Sequence, residues 1–160
     1  MRETAENLRI TLNKVLPLFS LIEDEAASTR PLPAKWSKKE ILGHLIDSAS
    51  NNHQKFIRTM AEKKSDFVGY RQNHWVESQH YNAMNWHELV LFWASYNRHL
   101  AHLIENVAEG LLANEITIEK AGTFTLEFIM KDYVEHLKHH LNQILPEAEL
   151  EHEFQNIYNT

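Results

Sequence analysis

Histidine carries most of the chemistry this chain can offer, with eleven imidazoles and no cysteine. A bound metal must therefore be held by nitrogen and oxygen, and disulfides, thiolate ligation and a cysteine nucleophile are all excluded. His136 and His140, within Tyr133-Val134-Glu135-His136-Leu137-Lys138-His139-His140-Leu141, stand one helical turn apart. Residues i and i+4 share a helix face about 5–6 Å apart at Cβ, so two imidazoles there can converge on one cation. A competent metal site needs at least one further ligand. On a wheel of about 100° per residue, the apolar face centres near Leu126, Tyr133, Leu137 and Ile144, with His140 within about 50° of it, His136 at its edge and His139 toward solvent. The same histidines precede Pro146, where imidazolium would complement the negative end of a helix dipole, so the pair alone leaves both readings open.

A second strip includes Ser37, Glu40, His44, Ser48, Asn51 and Lys55, with Asp47 nearby. It is entirely polar. Such a strip is either a solvated outer face or the wall of a polar cavity inside a helical bundle, and spacing does not separate the two. Asp47 and Glu135 could receive imidazole N–H groups or simply be solvated. His53, His74, His80, His87, His99, His102 and His152 have no partner at a ligand-like spacing.

The elements that must position these residues are helical. Leu8, Leu12, Val15, Leu16, Phe19 and Ile22 predict an amphipathic helix over residues 3–24, kinked or ended early by Pro17. Arg30-Pro31-Leu32-Pro33 reads as an extended connection. Ser37-Lys38-Lys39-Glu40 fits a capping box and starts a second helix running to Lys63 or Lys64. Residues 64–84 lack periodicity, as a lid or binding loop does. A third helix starts at Asn85 and stops near Gly110, and 111–124 reads as a connection despite the β-capable Glu115-Ile116-Thr117-Ile118. Thr125 caps a fourth helix closed by Pro146. The reading is an all-α four-helix bundle domain over residues 1–146, followed by an acidic tail, 147–160, as a short helix or disordered.

Composition narrows the partners. Hydrophobic residues make up 43% and charged residues 24%, values of an ordinary globular protein whose 160 residues suit one domain. A net charge of −6 disfavours nucleic acid. No apolar run approaches the roughly 20 residues of a membrane span, and Met1-Arg2-Glu3-Thr4 lacks a signal-peptide pattern, so a cytoplasmic protein without membrane contact is expected.

Three stretches together resemble the DinB/YfiT-like superfamily. They are Trp36 to Ser48, then Tyr70 and Trp75, then Thr125-Leu126-Glu127 leading into the segment from Tyr133 to His140. The resemblance implies an up-down-down-up four-helix bundle, often dimeric. It also implies a divalent metal held by one histidine of the second helix and an H-x-x-x-H pair of the last, which are His44, His136 and His140 here. Zinc or nickel suits imidazole ligands. Three protein ligands leave open positions, as in a catalytic site.

The resemblance further implies a thiol-dependent S-transferase acting on a small-molecule electrophile, with a low-molecular-weight thiol as second substrate. The alternatives are a hydrolase using metal-activated water and a non-catalytic metal-binding stress protein. Arg71 stands where relatives often carry Asp, a departure that would favour an anionic ligand. Trp86, Phe92 and Trp93 suggest an apolar face for a homodimer.

Overall fold

The computed structural model describes residues 1–156. In chain order the elements are α1 (Arg2–Phe19), α2 (Asp24–Ser28), α3 (Lys38–Ala61), β1 (Lys64–Phe67), α4 (Gln72–Gln79), α5 (Trp86–Glu105), β2 (Glu115–Ile118), β3 (Gly122–Thr125) and α6 (Leu126–Ile144). The long helices α1, α3, α5 and α6 form a bundle in which α1 lies along α5, and α3 packs against both α5 and α6. No described helix is long and apolar enough to cross a membrane.

Side-chain caps fix where these helices begin. The Ser37 hydroxyl accepts from the Glu40 amide at 3.2 Å while Glu40 Oε2 accepts from the Ser37 amide at 2.8 Å, the reciprocal capping box. Asn85 Oδ1 accepts from the Glu88 amide at 3.1 Å, and Thr125 Oγ1 from the Phe128 amide at 3.1 Å. Each cap satisfies one of the amides that a helix start leaves without a partner. Ala5, Leu8, Leu12, Val15 and Phe19 of α1 and Leu89, Trp93, Leu100 and Ile104 of α5 are buried in the core. Phe19 meets Trp86 and Trp93 edge to face at 5.3 and 5.6 Å, and Trp86 Nε1 donates to the Phe19 carbonyl at 3.0 Å.

Several sequence expectations are corrected. The fold is mostly helical, as expected, but not purely so: β1, β2 and β3 form a small three-stranded sheet in that order, parallel between β1 and β2 and antiparallel between β2 and β3. Residues 111–124, read as a connection, therefore supply a hairpin, and Ile116 and Ile118 bury one of its faces. Gly122 has φ +113°, a region where a side chain would strain the backbone. The irregular stretch 64–84 holds β1, α4 and a short 3₁₀ turn at Tyr81–Ala83.

The first helix stops at Phe19, with Pro17 in its last turn and the Ser20 hydroxyl donating to the Pro17 carbonyl at 2.6 Å. Trp86 and Trp93 are spent on the core, leaving Leu91 and Phe92 half exposed. After a 3₁₀ turn at Pro146–Ala148 the chain has no regular structure through residue 156, and it folds back on α6. Asn142 Nδ2 donates to the Leu150 carbonyl and Asn142 Oδ1 accepts from its amide, at 2.8 and 2.9 Å. The rest of the tail, 157–160, lies outside the described residues.

Candidate metal centre

The polar strip of α3 faces inward. Ser37, Glu40, His44, Asp47 and Ser48 are all buried, and His44 is wholly inaccessible. Lys38 Nζ donates to the Ile144 carbonyl, tying the first turn of α3 to the last turn of α6. That tie sets the two helices alongside each other where their histidines lie.

His44, His136 and His140 meet there. Each offers one ring nitrogen such that the three nitrogens lie within 4.8 Å of one another. The ring centroids are 5.3 Å apart for His44 and His136, 4.7 Å for His44 and His140, and 4.6 Å for His136 and His140. Two nitrogens each about 2.0–2.1 Å from a tetrahedral ion stand about 3.4 Å apart. His44 Nε2 and His136 Nε2 are separated by 3.4 Å. The cluster thus has the size and the donor type for one divalent transition metal.

Electrostatics point the same way. Desolvation, with a smaller contribution from His140, pushes the His44 pKa down to about 3. Desolvation also lowers His140 to about 4, against a raising hydrogen bond from Gln143. His136 falls well below the usual range, first through desolvation and then through the neighbouring imidazoles and Lys55. All three rings are neutral near pH 7 and keep a lone pair available, the state in which imidazole ligates metal.

The surrounding residues were only partly foreseeable. Trp36 packs on the His44 ring at 5.2 Å, and Phe154 of the C-terminal segment packs on His136 at 5.0 Å. Ser48 Oγ lies 3.4 Å from His136 Nδ1, and Gln143 Oε1 lies 3.2 Å from His140 Nδ1. Asp47 serves no imidazole in this arrangement. Its Oδ1 accepts from the Tyr81 hydroxyl at 2.7 Å and from Gln79 Nε2 at 2.5 Å.

Gly43 makes the Tyr81 contact possible, since a Cβ there would stand 2.1 Å from the Tyr81 ring. Glu135 accepts from Lys138 Nζ at 2.9 Å and from the Glu153 amide at 2.8 Å. His139 is half-buried against His152 and Phe154, outside the cluster. His44 Nδ1 is buried without a hydrogen-bond partner among the described residues. His53 and His99, from α3 and α5, also pair, at 5.2 Å; no spacing within one helix could have revealed that.

A cavity of about 460 Å³ opens beside His136, lined among others by Ser48, Lys55, Tyr70, Arg71, Asp132 and Tyr133. Its size fits a small molecule. Tyr133 turns its hydroxyl away, donating to Asn97 Oδ1 at 2.6 Å, and so presents a ring. Lys55 was legible only as a position of the polar strip, and Asp132 was not singled out, although it stands four residues before His136 on the same helix face.

No curated protein matches the chain significantly. Among solved structures it is similar to YfiT from Bacillus subtilis, described as a probable metal-dependent hydrolase with an unusual four-helix bundle topology. The TM-score is 0.80 at 17% identity, over 91% of this chain and 83% of that one. A model of the DinB superfamily matches residues 7–144. With most of its length matched and the bundle shared, the chain belongs to the DinB superfamily.

Proposed function

We propose that this protein is a metal-dependent enzyme in which His44, His136 and His140 hold a divalent transition metal, zinc or nickel, and the adjoining cavity holds a small electrophilic substrate. The observation that carries this reading is the convergence of three imidazole nitrogens within 4.8 Å at the edge of a cavity of about 460 Å³. When bound, the ion supplies Lewis acidity that lowers the pKa of a ligating thiol or water. Trp36 on His44 and Phe154 on His136 hold the rings and shield them from water. Ser48 lies at His136 and lines the cavity, so it orients what enters. The helix order is up-down-down-up, a reading supported by the parallel pairing of β1, which follows α3, with β2, which follows α5.

The nucleophile assigned is the sulfur of a low-molecular-weight thiol, because the chain has no cysteine and the cavity has room for more than water. Water is the second reading, favoured by the description of YfiT as a probable metal-dependent hydrolase. Protein purified without a His tag and loaded with metal should consume thiol in the presence of an electrophile such as monochlorobimane, and His136→Ala should abolish that rate. Ester or amide hydrolysis lost in the same variant would instead establish the hydrolase. If neither rate depends on His136, the site is a binding centre and the catalytic reading fails.

A further inference from the structure

The charges that line the cavity come in opposite pairs. Lys55 of α3 and Asp132 of α6 stand in its wall, and Arg71 and Glu119 come from the surrounding loops. Two cations are matched by two anions, so no net field draws in a plain anion, and the expectation attached to Arg71 does not carry over. Lys55 and Asp132 are the informative pair. Both are half-buried, they line the same cavity from two different helices, and the Asp132 charge acts on Lys55. Asp132 and His136 are four residues apart on α6, about 5–6 Å at Cβ. Ser48, Asn52 and Lys55 follow one another along the face of α3 that lines the same space.

Drawing one member of such a pair toward a ligand leaves the other as a poorly solvated, unmatched charge, which is expensive. A monoanion bound by Lys55 would strand Asp132, and a monocation bound by Asp132 would strand Lys55. A ligand carrying both charges on one carbon gives each of them a partner and strands neither. We propose that the cavity beside His136 binds the zwitterionic head of an α-amino acid, with its carboxylate on Lys55 and its ammonium on Asp132, so that the amino-acid side chain points toward the histidine cluster. This rests on the reading of the cavity as the substrate site and extends it to a substrate class. A side chain of one or two atoms beyond the α-carbon suits the single helical turn that separates Asp132 from His136.

The test is calorimetric titration of the full, zinc-loaded chain with serine, 3-hydroxypropionate, which lacks the ammonium, and ethanolamine, which lacks the carboxylate. Serine should bind about tenfold more tightly than either truncated compound, the size of effect expected when buried charges are matched. Lys55→Met should remove the preference over ethanolamine, and Asp132→Asn the preference over 3-hydroxypropionate. The double variant K55M/D132N, which leaves no stranded charge and should keep its helical spectrum and zinc content, should remove both. Equal binding of serine and 3-hydroxypropionate, or a preference that survives in K55M/D132N, would overturn the proposal. Cysteine titrated in parallel separates the two readings. If cysteine binds no more tightly than serine while the serine preference holds, the thiol assignment fails and the head-group site stands.

Discussion

The two sides of the bundle use the same helical period for opposite purposes. Where α1 lies along α5, the inward positions include Leu8, Leu12, Val15, Phe19, Leu89 and Trp93, and burial is mainly apolar, with Thr11 and Asn97 as buried polar residues. Where α3 lies along α6, buried His44, Asp47 and Ser48 stand among the apolar residues, and three imidazoles nearly touch. Burying polar groups costs free energy unless they find partners; among the described residues His44 Nδ1 and Asp47 Oδ2 lack hydrogen-bond partners on the α3–α6 side, and Trp93 Nε1 lacks one on the α1–α5 side. The α1–α5 side is thus packed mainly with apolar side chains, while the α3–α6 side adds the histidine cluster of the candidate site to its apolar core. Stability and chemistry are separable in this fold to the extent that this division holds.

The largest expected effect tests the apolar side. Phe19 is buried and meets two tryptophans edge to face. Phe19→Ala should lower unfolding stability by about 3–5 kcal/mol in a denaturant titration, while the folded fraction still binds metal as the parent does. Metal affinity falling in step with stability would dissolve the distinction between the two sides.

A smaller effect tests the polar side through pH, in the metal-free protein. The folded pKa values of His44 and His140 are depressed to about 3 and about 4, and that of His136 lies well below its ordinary value of 6.5. Between 6.5 and these values the unfolded chain binds more protons than the folded one, so stability rises with pH across that window. The contribution is complete above about 6.5 and is lost as pH falls toward 4 and then 3. Urea midpoints should decline over that range in the parent, and decline less in a variant with His44 and His140 both replaced by Leu. Parallel slopes would mean that the cluster is not held neutral.

Much of this division was readable from the residues. The capping signals at Ser37, Asn85 and Thr125 start the three helices that bear or buttress the site, and His136 and His140 converge as i, i+4 geometry requires. His44 was ambiguous for a physical reason. Periodicity reports that a strip is polar, and only the packing of a second helix says whether it faces water or a cavity. The sheet was missed because each strand has four residues, too few for a period-2 pattern to stand out. The parallel pairing of Lys64–Phe67 with Glu115–Ile118 is also a long-range event that local propensity does not encode. The Asp47–Tyr81 bond likewise depends on the loop path that brings Tyr81 over Gly43.

Metal stoichiometry tests the central claim most directly. Protein purified without a His tag, dialysed against zinc or nickel and assayed by elemental analysis should carry about one equivalent, held by three imidazole ligands. His44→Ala, His136→Ala and His140→Ala should each lose it, whereas His139→Ala and a His53→Ala, His99→Ala double variant should keep it. Full occupancy in His44→Ala would contradict the account, because the metal would then be held without the residue that makes the interior of α3 a site.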